Sequence, residues 1–160
     1  MFFKFCSDNV SKVAQAVCPA MAEIIEKFND DESKQAGIVR VIKNRYFRSR
    51  TFKKRQYFIL MCTGKMMMKK QIFEKYFKHD FLTLVNDRVP NVRILLAKAL
   101  RHHFLKEIQG EFVFDQEVND AVRVLKVDPS NEVRYLVQDI EAYPQVNKDS
   151  KKITLESFMQ

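Results

Sequence analysis

The sequence predicts an all-α fold, an α-solenoid of about three and a half helical hairpins stacked in a row. Three observations point to it: turn-forming residues are scarce, one short motif recurs at a near-constant interval, and apolar residues after each copy follow helical spacing. Only three Gly and four Pro occur in 160 residues, while helix formers such as Leu, Ala, Lys, Glu, Gln and Met are plentiful. Long helices with short connections follow from that balance.

The motif is clearest in DRVPNVRILLAKAL, from Asp87, and DPSNEVRYLVQDIE, from Asp128. Both open on Asp and reach Val-Arg five and six positions later. Val92, Leu95, Leu96 and Ala99 in one copy match Val133, Leu136, Val137 and Ile140 in the other. This is the 3, 4, 7 spacing of one helix face. SDNVSKVAQAVCPAM supplies an earlier copy, with Asp8, Val13, Ala16, Val17 and Ala20 at the same offsets but Ala14 where arginine stands in the others. A weaker copy, SRTFKKRQYFILM, starts at Ser49; it places Arg55 on the arginine position and Tyr57, Phe58 and Met61 on the apolar ones, with Lys54 replacing valine. The anchors at 8, 49, 87 and 128 are 41, 38 and 41 residues apart, the period of HEAT and armadillo arrays.

A second amphipathic run precedes each anchored helix: Ile38 to Ile42, then Ile72 to Val85 with Phe73, Phe77 and Phe81, then Val118 to Val127 with Ala121, Val122 and Leu125. Each unit therefore reads helix, tight turn, helix. In the turns Asp87 and Asp128 suit acceptance of hydrogen bonds from free backbone N–H groups, and Pro90 and Pro129 suit turn or first-helical-turn positions. The expected organisation is a solenoid over 1–143, with a partial first repeat at 1–28, repeats near 34–68, 69–108 and 114–143, and a flexible tail over 144–160. FFKF, directly before the first anchor, reads as the last turn of a helix whose beginning is absent, so a fragment or a shortened homologue is expected.

Charge is unevenly spread. The chain carries a formal +8, yet no acidic residue falls between Glu32 and Glu74, an interval that holds Lys34, Arg40, Lys43, Arg45, Arg48, Arg50, Lys53, Lys54 and Arg55. One face of the middle third must be positive, which draws anionic partners without choosing between an acidic protein and nucleic acid. Tyr46, Phe47, Phe52, Tyr57 and Phe58 are interleaved with the basic residues, as nucleic-acid binders often require. On helices, however, several of these rings fall on the apolar face. No window holds 18 uninterrupted apolar residues, so a membrane partner is not expected. Cys6, Cys18 and Cys62 are odd in number, widely separated and free of zinc-ligand spacing, and they read as reduced core thiols in a cytoplasmic or nuclear protein.

The candidate catalytic and metal-binding residues are few, and the expectation is none of either. His79, His102 and His103 have no Glu, Asp or Cys arranged as a metal set or catalytic pair, and read as helix-surface or interface residues. Asp87 and Asp128 occupy equivalent turns of successive units, where a capping role explains them better than paired acid/base chemistry. Arg93 and Arg134 share one helical phase, which points to ion pairs or hydrogen bonds between neighbouring units. Met66 to Met68 reads as a gap-filling helix end more readily than as an adaptable binding surface. No phosphate-binding glycine loop is present, and no cofactor is expected.

With its turn motifs in view, the chain resembles the HEAT-repeat regulatory and scaffold subunits of phosphatase 2A-like Ser/Thr phosphatases. The residues that carry the resemblance are VNDRVPNVRILLAKALRHHFL and VRVLKVDPSNEVRYL, supported upstream by RTFKKRQYFILMC. It covers roughly residues 35 to 140, is specific from Asp87 onward, and is closest to repeats near the C-terminal end of such a subunit. The resemblance implies a non-catalytic scaffold that holds a metal-dependent phosphatase catalytic subunit, phosphatase 4 or 2A-like, and directs it toward substrates. In the scaffold subunit of phosphatase 2A, turns inside the C-terminal hairpins form the ridge that grips the catalytic subunit. Carried over turn by turn, those places here are Arg48, Arg50, Phe52 and Lys53, then Arg88, Val89 and Pro90, then Ser130 and Asn131. Phe52 is expected to be an exposed anchor, and the arginines suit carboxylate pairing. The basic run from Arg45 to Arg55 is heavier than the family pattern, and the first copy lacks its arginine. The runner-up reading is a basic HEAT module that binds nucleic acid. A DNA glycosylase of HEAT-like architecture fits less well, since the chain has no Trp.

Overall fold

A computed structural model describes residues 18–63, 70–106 and 116–140, with the backbone alone at Pro19 and over 103–106. Every regular element among them is helical. A 3-10 turn, Cys18–Ala20, leads into α1, Met21–Glu26; then come α2, Glu32–Ile42, and α3, Phe52–Cys62. α4 is Lys70–Tyr76, α5 Lys78–Thr83, α6 Pro90–Lys106, α7 Gln116–Lys126 and α8 Asn131–Val137. The first motif copy from Asp8 to Val17, Cys6, the Met66–Met68 triplet, the His103 side chain and the tail over 144–160 lie outside the described residues.

Local chemistry sets several boundaries. Asp31 caps α2 by accepting the Lys34 N–H at 2.9 Å, which satisfies a donor with no partner inside the helix. Pro90 opens α6, where its missing N–H removes no helical bond. α2 runs on through a π-helical turn, Lys43–Phe47, which buries Tyr46 completely and brings the Phe47 ring within 5.3 Å of Phe58. The sequence pattern had suggested only Ile38 to Ile42 here.

The run from Ile72 to Val85 is not the single helix its periodicity suggests. It breaks at Phe77, whose φ of −124° leaves the helical region, and it ends in a 3-10 turn, Leu84–Asn86. The Phe77 N–H still bonds Phe73 O at 2.9 Å and the Phe81 N–H bonds Phe77 O at 2.8 Å. The helical ladder is therefore interrupted here while these two bonds span the break, and Phe73, Phe77 and Phe81 all remain buried.

Two rows of helices result. The second helices of the hairpins lie side by side: the segment 18–26 packs on α3, α3 on α6, and α6 on α8. The first helices form the other row, with α5 against α7 and α2 tied to α4 and α5. That tie consists of Tyr76 Oη donating to Gln35 Oε1 at 3.0 Å, Lys75 pairing with Glu32 at 2.6 Å, and Lys43 pairing with Asp80 at 2.9 Å. The core runs between the rows. Phe58 and Phe77, 6.1 Å apart, join one hairpin to the next, and Phe73 meets Phe81 edge-on at 5.7 Å. Each buried ring or aliphatic side chain contributes roughly 1.5 to 3 kcal/mol, and because the rings bridge hairpins, no hairpin buries its apolar face alone.

Candidate functional site

The turns that join the two helices of each hairpin share one construction. At the anchor position the side chain accepts the N–H two residues on: Ser49 Oγ from Thr51 at 3.2 Å, Asp87 Oδ1 from Val89 at 2.8 Å, and Asp128 Oδ1 from Ser130 at 2.8 Å. The anchor's carbonyl then accepts from the arginine six residues later. Arg55 Nη1 reaches Ser49 O at 2.8 Å, Arg93 Nη1 reaches Asp87 O at 2.6 Å, and Arg134 Nη1 reaches Asp128 O. Ser49 thus makes the same two bonds as Asp87 and Asp128, although its residue type differs.

The remaining donors of the Arg55 and Arg93 guanidiniums cross to the following hairpin. Arg55 Nε and Nη2 bond Asp87 Oδ2 and Oδ1 at 2.5 and 2.9 Å; Arg93 Nε and Nη2 bond Asp128 Oδ2 and Oδ1 at 2.6 and 2.9 Å. Both are bidentate forks, the geometry in which arginine and carboxylate match best. The turns at 49, 87 and 128 are thereby fastened in order along one edge of the stack. Gln56 Nε2 adds a bond to Asn91 O at 3.1 Å. The expectation that these arginines link neighbouring units holds for Arg93. Arg134 differs: it bonds its own turn at Asp128 O and the Asn131 side chain.

Asp87 and Asp128 thus serve as turn acceptors and ion-pair partners. Burial is the strongest single influence on Asp128 and opposes its charge. Hydrogen bonds from Arg93 and the Ser130 N–H, with the charges of Arg93 and Arg134, outweigh it and hold the carboxyl below its usual range. Asp87 raises the Arg55 guanidinium above its ordinary value by hydrogen bonding, against the effect of burial. Asp128 raises Arg93 in the same way.

Along this edge Arg48, Arg50, Lys53, Arg88, Pro90 and Asn131 are exposed and Ser130 is half-buried. Phe52 departs from expectation: it is half-buried and packs against the core, as does Val89. Both stand at the start of a helix whose apolar side faces inward, so they support the turn more than they project from it. The basic interval also divides. Lys34, Lys43 and Arg55 are paired with Asp31, Asp80 and Asp87, whereas Arg40, Arg48, Arg50, Lys53 and Lys54 have no carboxylate partner among the described residues. The interleaved rings face the interior, with Tyr46 and Phe58 fully buried and Phe47, Phe52 and Tyr57 packed against the core.

His79 and His102 are exposed on their helices. No group of three or more His, Cys, Asp or Glu among the described residues is placed to hold a metal ion. No helix among them is long and apolar enough to cross a membrane.

Sequence reasoning linked the arginines to neighbouring units but kept Asp87 and Asp128 as turn caps, so it missed their pairing, for which one signal was present. The arginine of one unit meets the aspartate of the next, and the chain's first junction lacks both at once, with Ala14 at the arginine offset and Ser49 at the aspartate position. That joint loss was the signal that the two positions work as a pair.

The geometry defines an all-helical stack consistent with an α-solenoid, with the turns of successive hairpins locked along one edge. The chain resembles the repeats of a phosphatase regulatory subunit. It is 26% identical over 153 residues to human serine/threonine-protein phosphatase 4 regulatory subunit 1, and 25% identical to the mouse and rat proteins of that name. Each alignment takes in 91% of this chain and 16% of the relative, so the chain spans about a sixth of the length of the curated relatives it matches. No family model matches the chain. No solved structure matches it either.

Proposed function

We propose that this chain is a run of HEAT-type repeats serving as part of a non-catalytic regulatory or scaffold subunit. In this reading its turns at 49, 87 and 128 receive the catalytic subunit of a Ser/Thr phosphatase, phosphatase 4 or 2A-like, in the cytoplasm or nucleus. The observation that carries it is the pair of Arg–Asp forks that fasten successive turns in line. A row of fixed turns is a pre-organised rim, and pre-organisation lowers the ordering cost of binding. The likeness to phosphatase 4 regulatory subunit 1 supplies the kind of partner.

Arg50 and Arg88 are the residues to vary, because both are exposed and neither supports the core. The charge-reversed pair Arg50→Glu and Arg88→Glu should reduce co-elution with the phosphatase 4 catalytic subunit at least tenfold, with circular dichroism unchanged. Failure of the unaltered chain to retain that subunit, or full retention by the double variant, would falsify the reading. The second reading, a basic module for nucleic acid, rests on the five cations that have no carboxylate partner among the described residues. Burial of Tyr46 and Phe58 removes two of the stacking platforms it needs. An affinity for duplex or single strand that did not fall with salt would exclude it, since phosphate contacts release counterions.

A further inference from the structure

Between α2 with its π-helical extension and α4 lies an open hollow of about 220 Å³ lined by Ala36, Val39, Arg40, Lys43, Asn44, Arg48 and Tyr76. Its floor is apolar at Ala36 and Val39 and its rim is cationic. Lys43 is committed to Asp80, but among the described residues Arg40 has no carboxylate partner and the Arg48 guanidinium bonds only the neutral Asn44 side chain, at 2.9 Å. No carboxylate lines the hollow. Tyr76 is fixed as its wall by the bond from its hydroxyl to Gln35.

We propose that this hollow docks an acidic, extended segment of a partner protein, with carboxylates on Arg40 and Arg48 and an aliphatic side chain just beyond the first carboxylate, on Ala36 and Val39. Eight residues of helix place the two arginines roughly 10 to 12 Å apart. An extended peptide, rising about 3.3 Å per residue, therefore brings together carboxylates three or four positions apart. Charge complementarity selects an anionic occupant, and the apolar floor selects a peptide over a bare phosphate backbone. The inward-facing Tyr46 and Phe58 tell against a stacked single strand. The inference goes beyond the phosphatase reading: the hollow shares Arg48 with the turn edge but rests on Arg40, Ala36 and Tyr76, and it is tested on the chain alone.

The test uses the full chain and a fluorescein-labelled decapeptide carrying two glutamates four residues apart with a leucine just outside the pair, measured by anisotropy. Saturable binding is expected, weakened at least tenfold by Arg40→Glu and also by Ala36→Trp, which fills the hollow from an exposed position. Lys98→Glu, a change at an exposed cation on α6, should leave the affinity unchanged, and all three variants should keep their helicity. The proposal is overturned by the absence of saturable binding, by equal loss in Lys98→Glu, or by indifference to Ala36→Trp. It is also overturned if inorganic phosphate displaces the peptide at equal concentration, or if a single-stranded oligonucleotide of the same charge binds more tightly and loses affinity with Arg40→Glu.

Discussion

Arg93 holds two hairpins at once: its Nη1 donates to Asp87 O at 2.6 Å within its own turn, while Nε and Nη2 clasp Asp128 at 2.6 and 2.9 Å in the next. Both side chains of the pair are nearly inaccessible to water. Buried ion pairs repay their desolvation only when geometry and hydrogen bonding are complete, and here each guanidinium nitrogen and both carboxylate oxygens are used. The same arrangement repeats one unit earlier at Arg55 and Asp87, so the stack is registered by a polar device as well as by its rings.

Asp128→Asn leaves the buried guanidinium of Arg93 without its charge partner. A loss of about 3 kcal/mol is expected, the lower end of what breaking one side of a buried pair costs. Replacing both residues, as Arg93→Met with Asp128→Asn, should cost less than the two single changes added together. Urea unfolding of the four proteins measures this, and strictly additive costs would show that the pair is not coupled.

Acid should loosen the same junction. Asp128 has a lower pKa folded than unfolded, so the folded state binds fewer protons and gains stability above the ordinary carboxylate value of about 3.9. That contribution is lost as pH falls through the lowered pKa. The half-buried Asp31 and the exposed Glu32, lowered by hydrogen bonds from Lys34 and Lys75, act in the same direction but are screened by water. Urea midpoints taken from pH 7 down to 2.5 should fall steeply below about pH 4. The fall should be shallower in Asp128→Asn, and identical curves would refute the assignment.

How much of this was legible beforehand depends on which interaction set each feature. The hairpin period, the capping aspartates and the inward rings could be read because they depend on short-range spacing. The π-helical turn at Lys43–Phe47 and the break at Phe77 could not, since both lie inside runs with good apolar periodicity and are decided by packing between Phe47, Phe58 and Phe77. Phe52 was misplaced for a related reason: a turn residue in sequence can still be the first inward position of a helix. The unpaired arginines around the hollow were visible only as a charge run, because Lys43 and Arg55 are neutralised by Asp80 and Asp87, acids that lie beyond the acid-free interval in the chain.

Cys62 offers an independent probe of the core. Burial, reinforced by the charge of Asp80 and opposed by Lys43, pushes its thiol well above the usual value, and Cys18 is fully buried as well. Since the thiolate is the reacting form, both should resist iodoacetamide at pH 8 in the folded chain and become labelled in denaturant. Peptide mass spectrometry at timed intervals distinguishes the sites. Labelling of Cys62 at the rate of a free thiol would mean that α3 does not pack as described.

The strongest test of the pairing rule is to build a fork where the sequence supplies neither partner, at Ala14 and Ser49. Ser49 already accepts the Thr51 N–H as Asp87 and Asp128 accept theirs, so Ser49→Asp retains the turn bond and adds an uncompensated charge. Ala14→Arg supplies the matching guanidinium at the motif's arginine offset. Each change alone should be neutral or destabilising, while the two together should recover a coupling of about 1 kcal/mol, within the range seen for contacting pairs. Urea unfolding of the complete double-mutant cycle reads that coupling directly. If the combined variant were no more stable than the sum of the singles allows, the first junction would not follow the rule that governs Arg55–Asp87 and Arg93–Asp128.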